Sequence, residues 1–213
     1  MNPPLTANDT LVLSYLSLRK AVGMIGMALP FVLSIGNLLV AGPGLRGSMS
    51  SYYYTAMGDV FVGSLCAIAV FLMSYRGYEH RDDRAGNIAC ISALGVALFP
   101  TTPEVGALPR DHLVGTLHLV FAACFLLTLA YFSLALFRLM APSPTPEKLR
   151  RNKVYTACGY TILACVALCA VVKFLPGNAL LLKFSPLFWL EAVAVFAFGV
   201  SWLTKGEVIL ADK

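Results

Sequence analysis

Long apolar runs separated by short polar clusters dominate the chain. Ala21–Val40 carries no charge over its whole length, and Ala56–Tyr75 has Asp59 as its only charge, close to its start. Ala85–Thr102 is the weakest run, uncharged but interrupted by Asn87 and by several glycines and alanines. His112–Phe137 follows without a formal charge, and Val154–Val172 and Phe184–Thr204 complete the set, the last containing Glu191. A helix needs roughly 20 mostly apolar residues to cross about 30 Å of hydrocarbon. Strands of a membrane barrel are only about 10 residues long and alternate strictly, which these runs do not. Continuous helices satisfy every backbone group without water. The pattern therefore predicts an all-α polytopic membrane protein, a six-transmembrane-helix bundle that occupies residues 1–213 as a single domain.

The residues between the runs predict where helices start. Asp111 is placed to cap the fourth helix, and Ser185 followed by Pro186 reads as a cap with proline in the first helical position. Pro142, Pro144 and Pro146 stiffen the connector before the fifth helix, and Thr145-Pro146-Glu147 predicts its cap. Asn8-Asp9-Thr10, with Leu11, Tyr15 and Leu18 at helical spacing, predicts a short separate amphipathic helix on the membrane face. Pro30 should bend the first span. Gly23 and Gly26, and Gly58 and Gly63, should admit neighbouring backbones.

Composition agrees with the pattern. The chain is 58% apolar and 13% charged, with a mean hydropathy of +0.76, against about 45–50% and about 25% in soluble domains. These values exclude a disordered chain, a nucleic-acid module and an ordinary soluble enzyme. Orientation follows from lysine and arginine. With six spans, twelve of the 16 basic residues fall on the side of the termini: Arg19, Lys20, Arg76, Arg81, Arg84, Arg138, Lys148, Arg150, Arg151, Lys153, Lys205 and Lys213. Arg46, Arg110, Lys173 and Lys183 fall on the other. Both termini are therefore expected in the cytoplasm and the chain in the inner (plasma) membrane, with Trp189 and Trp202 as interfacial anchors. Arg19-Lys20 before an apolar run is not read as a signal peptide, because the run is too long and further spans follow. The basic start of the fifth helix reads as topogenic charge attracted to anionic lipid, about 1 kcal/mol per cation, and the partners expected are membrane lipids rather than nucleic acid.

Six cysteines, Cys66, Cys90, Cys124, Cys158, Cys165 and Cys169, all fall inside predicted spans without the paired spacing of a zinc knuckle. They read as small packing residues. Chemistry is sought instead at ionisable groups within spans, where they are costly. These are Asp59, His118 and Glu191. His118 lies about 10 Å along its helix from Asp111, and Glu191 about 9 Å from Ser185, at about 1.5 Å per residue. The matched depths predict an outward-facing polar pocket with Asp59, His118 and Glu191 as floor. Arg46, Arg110, Tyr52, Tyr53 and Tyr54 form its rim. The plainer readings are a helix-end complement for Asp59, a structural hydrogen-bonded pair for His118 and Glu191, and an interfacial belt for the tyrosines. One imidazole and two carboxylates have the composition of a divalent site, but no HxxxH or HExxH occurs, so no metal or other cofactor is assigned. Ser48, Ser50 and Ser51 share the outer loop and make a Ser–His–Glu arrangement conceivable; no catalytic residue is assigned.

The stretches SSYYYTAMGD (50–59), Tyr75–Tyr78, VALFPT (96–101) and HLVGTLHLVF (112–121) resemble bacterial multi-pass proteins grouped in a family of unknown function. More distantly, the layout is similar to the six-span Frag/DRAM/Sfk family, with its outer-loop Ser and Asp, basic inner loop and fourth-span His. That resemblance implies a link to lipid distribution. The intramembrane zinc hydrolases of the ceramidase and adiponectin-receptor superfamily use a Ser, an Asp and three His. This chain departs from them, with Trp189 and Glu191 where a late histidine pair would stand. The leading expectation is a pocket for a lipid headgroup or small amphiphile. The alternatives are an intramembrane lipid hydrolase using His118 with Glu191 or Asp59, a proton-coupled transporter, and a structural membrane partner. A homo-oligomer is left open.

Overall fold

A computed structural model describes residues 7–75, 80–174 and 184–210. Among them are six α-helices and no strand: α1 (Ala7–Ala41), α2 (Gly58–Ser74), α3 (His80–Leu98), α4 (Pro109–Tyr131), α5 (Pro146–Phe174) and α6 (Pro186–Lys205). A 3₁₀ segment, Ser50–Tyr54, precedes α2, and α4 runs on into π-helical turns over Phe132–Leu136. Each helix packs on its neighbour in sequence, and α6 packs back on α1, so the six close a ring. Its centre is filled by Leu33, Ile68, Phe125, Leu129, Ile162 and Phe198, all buried.

The outside is as apolar as the inside. Leu39, Ile91, Val120, Val171 and Trp189 are exposed, far more contiguous apolar surface than a water-soluble monomer presents. Four segments are long and apolar enough to cross a bilayer: Leu16–Ala41, Pro109–Leu136, Pro146–Lys173 and Pro186–Lys205. The chain is a multi-pass helical membrane protein. Helix α2 is apolar but shorter, at 17 residues.

Several element ends differ from the sequence expectation, each for a physical reason. Helix α3 begins at His80, not Ala85, because Asp82 and Asp83 sit in its first turn, where the helix dipole favours acids. It stops at Leu98 because Pro100 disfavours helical geometry in the residue before it. Asn8, Asp9 and Thr10 lie inside α1, which is continuous from Ala7 through Pro30, so no separate surface helix precedes the first span. Asp111 is the third residue of its helix rather than the cap, and its carboxylate accepts from the backbone N–H of Leu108 at 2.8 Å. Ser185 takes a left-handed conformation (φ 48°) and makes no side-chain cap bond. Thr145 does cap α5, accepting from the Lys148 N–H at 3.1 Å.

Small residues set the α1–α6 seam. A Cβ on Gly23 would meet Leu203 Cδ2 at 2.9 Å, and one on Gly26 would meet Phe198 Cδ1 at 2.9 Å. Gly63, expected to do the same on α2, faces open space. The cysteines are free thiols. At the end of the ring holding the start of α3, Trp202 is buried rather than interfacial, edge-packed on Tyr75, Phe132 and Phe137. Cations cover this aromatic cluster: Arg19 lies over Tyr75, Lys148 over Tyr155 and Lys205 over Phe137. Arg76, Lys183 and Lys213 fall outside the described residues.

Candidate functional site: a polar loop and its two buried fasteners

The opposite end of the ring is closed by the segment from Arg46 to Gly58. Its sequence favours a compact turn. Ser48 Oγ accepts from the Ser51 N–H at 3.0 Å and lies 2.8 Å from Ser51 Oγ, so the hydroxyls close the turn on itself. Thr55 repeats the device one turn later, donating to the Tyr52 carbonyl at 2.8 Å and accepting from the Met57 N–H at 3.1 Å. Tyr52 is fully buried against Phe188 of α6, with ring centroids 5.9 Å apart. Burial pushes the Tyr52 phenol above its ordinary range, and the neighbouring Arg46 offsets this in part. Gly47 is clamped from two sides: its N–H donates to Glu104 Oε1 at 3.0 Å, and its carbonyl accepts from the Phe188 N–H at 3.2 Å.

Two side chains from within the helices hold this loop. His118 of α4 is 2% exposed. Its Nδ1 lies 2.7 Å from the carbonyl oxygen of Phe99, and its Nε2 lies 2.9 Å from Ser50 Oγ. A carbonyl can only accept, so Nδ1 donates, and in the neutral imidazole Nε2 accepts the Ser50 hydroxyl hydrogen. Glu191 of α6 accepts from the Met49 N–H at 2.7 Å and, more loosely, from the Ser50 N–H at 3.4 Å. His118 and Glu191 thus meet at Ser50, one at its hydroxyl and the other at its amide. Two helices distant in sequence converge on one residue of the loop.

Asp59 stands apart from that junction. It lies exposed in the first turn of α2 and lines a groove of about 430 Å³ with Tyr53, Thr55, Val62, Ala97 and Leu98. Tyr53 of the 3₁₀ segment lines this groove, whereas His118 and Glu191 do not. Tyr54 is tied down by its hydroxyl, which donates to the Thr101 carbonyl at 2.6 Å, and its ring packs edge-on to Tyr53 at 5.1 Å. Arg46 is half-buried beside Tyr52. Arg110 is solvated, its side chain 80% exposed and 3.7 Å from Asp111. Its place at the rim is a place in water.

The arrangement has one feature in common with nucleophilic catalysis: a hydroxyl hydrogen-bonded to a histidine whose other nitrogen is oriented by an acceptor. The loop's amides, however, are already committed. Met49 and Ser50 donate to Glu191, Ser51 to Ser48, and Tyr52 to the Met49 carbonyl at 3.1 Å. Acyl transfer needs preorganised donors aimed at the developing oxyanion, and these four point elsewhere. Among the described residues, no three His, Cys, Asp or Glu side chains gather in a cluster suited to a metal ion. What sequence reasoning did not find is the partner set of the two buried groups. The Phe99 carbonyl and the Met49 amide are backbone groups, which carry no side-chain signal. No family model matches the chain, and neither a curated protein nor a solved structure matches it.

Proposed function

We propose that the chain crosses the inner membrane six times, with both termini in the cytoplasm, and that it binds the headgroup of a lipid or small amphiphile at its outer face. The observation that carries this reading is the polar groove holding Asp59, Tyr53 and Thr55 at the edge of an otherwise apolar surface. One wall of that groove is the 3₁₀ segment, which His118 and Glu191 fix from behind. In this reading the two buried residues set the shape of the site, and Asp59 meets the ligand. A carboxylate beside phenol and hydroxyl groups suits an amine-bearing headgroup such as phosphatidylethanolamine. The basic residues counted above support the orientation, since a ring of antiparallel neighbours puts Arg19, Arg81, Lys148 and Lys205 at one end. Native mass spectrometry from mild detergent, with phosphatidylethanolamine and phosphatidylglycerol offered in equal amounts, tests the site. The wild type should retain phosphatidylethanolamine, and Asp59→Asn should weaken that retention about tenfold, the loss of one charge-assisted hydrogen bond. Equal retention by both proteins sinks the reading.

The 2.9 Å contact between Ser50 and His118 favours one second reading, an intramembrane lipid hydrolase with Ser50 as nucleophile and His118 as base. It requires covalent labelling of Ser50 by a fluorophosphonate probe, lost in Ser50→Ala. An unlabelled wild type removes it.

A further inference from the structure

A second groove lies at the other end of the ring, on the outward side of the α3–α4 pair. It encloses about 580 Å³ and is lined by Arg81, Arg84 and Ile88 of α3 and by Cys124, Leu127 and Tyr131 of α4, among others. The order of residues along it is informative. Arg81, Arg84 and Ile88 are spaced three and four apart, so they form one stripe along α3. Both arginines and Ile88 are exposed. Asp82, between the two arginines in sequence, is buried in the bundle at 2% exposure. On α4, Cys124, Leu127, Thr128 and Tyr131 repeat the same spacing. Thr128 spends its hydroxyl on the Cys124 carbonyl at 2.7 Å, which leaves that wall largely apolar. Tyr131 closes the arginine end, where α4 changes from α to π geometry, a change often found beside functional sites.

Read from its mouth inward, the groove offers two planar cations and then a length of aliphatic and aromatic wall. A phospholipid has the same order of chemistry. Guanidiniums match phosphate oxygens in paired hydrogen bonds, and a free phosphate would leave the apolar length unfilled. We propose that this groove seats a phospholipid of the cytoplasmic leaflet, with its phosphate on Arg81 and Arg84 and one acyl chain along Ile88 and Leu127. The assignment rests on the orientation given under Proposed function, but the site is separate from the Asp59 groove.

The test uses the full chain in phosphatidylcholine vesicles containing a small fraction of phosphatidylglycerol with a photoreactive acyl chain. Illumination should place the label on Ile88 and on the Cys124–Tyr131 stretch. Arg81→Gln/Arg84→Gln should lower that labelling about tenfold, as should Leu127→Trp, which fills the groove and keeps its charge. Both variants should elute as the wild type does on size exclusion. Label spread evenly over Leu39, Val120 and Val171 and indifferent to both variants would overturn the proposal. So would crosslinks joining two copies of the chain through this face. Absence of label from every helix would instead overturn the bilayer placement itself.

Discussion

Ser50 is the residue on which the loop from Arg46 to Gly58 depends. Its hydroxyl and amide are claimed by two different helices, so neither fastener can be removed without exposing a buried partner. An orphaned buried polar group costs about 1–3 kcal/mol. His118→Ala strands both the Phe99 carbonyl and the Ser50 hydroxyl and should lower thermal stability in detergent by about that range. Ser50→Ala leaves only the imidazole nitrogen unmatched and should cost about 1 kcal/mol. The double variant should fall short of the sum, since the two share one bond. A strictly additive result would mean that the bond contributes nothing. Tyr52 supplies a pH test. Its folded-state pKa is raised by burial, so its contribution is intact below the ordinary tyrosine value of about 10. It is lost as pH rises beyond that value, where the unfolded chain releases the phenolic proton first. Alkaline titration followed by Trp189 fluorescence should show the loop loosening above about pH 10. Tyr52→Phe should shift that transition upward. An unchanged transition would assign it to the exposed tyrosines.

At the scale of elements, the helices were legible because each apolar run is far longer than a soluble core requires. The ends were less so. Hydropathy reads the cluster Arg81–Arg84 as loop, whereas the fold uses it as the first turn of α3, with Asp82 turned inward and the arginines outward. Capping signals divided in the same way. Thr145 caps as expected, and Ser185 holds the expected cap position before Pro186 without making a side-chain bond, while Asp111 becomes the third helical residue because the helix starts at Pro109. The site was half legible. His118 and Glu191 stand out as polar residues in apolar runs, but that Asp59 lines a groove without them leaves no mark on the sequence. Glycines give the sharpest contrast. Gly26→Val should destabilise by about 1–3 kcal/mol through overpacking, because its Cβ would press on Phe198 across the α1–α6 seam. Gly63→Val should be close to neutral, as nothing stands near it. Denaturation of both variants in one detergent checks the pair, and equal losses would show that the seam is looser than its geometry.

For the whole molecule, the closed ring brings cations and aromatic rings together at one end and serine, tyrosine and glutamate backbone contacts at the other. The two ends therefore answer to different reagents. A fluorescent protein fused after Lys213 should light up in the cytoplasm, while a cysteine placed at exposed Val105 should react with an impermeant maleimide from outside intact cells. Reaction only after the cells are opened would reverse the orientation. The native cysteines do not confuse this assay, since Cys90, Cys158 and Cys165 are buried and the rest are half-buried within the helices.

The pairing of α6 with α1 also fixes a sequence of events in the making of the protein. The ribosome releases α1 first, yet the surface that fits its glycines, Leu203, Phe198 and Gly199, belongs to the last of the six helices. The same helix carries Glu191, the acceptor for the Met49 amide. Until α6 has left the translocon, α1 has no mate across its glycine face and the Met49 and Ser50 amides have no carboxylate. Insertion can proceed helix by helix, but the Ser50 junction comes into being in a single late step, and a chain halted before Pro186 would sit in the membrane without it.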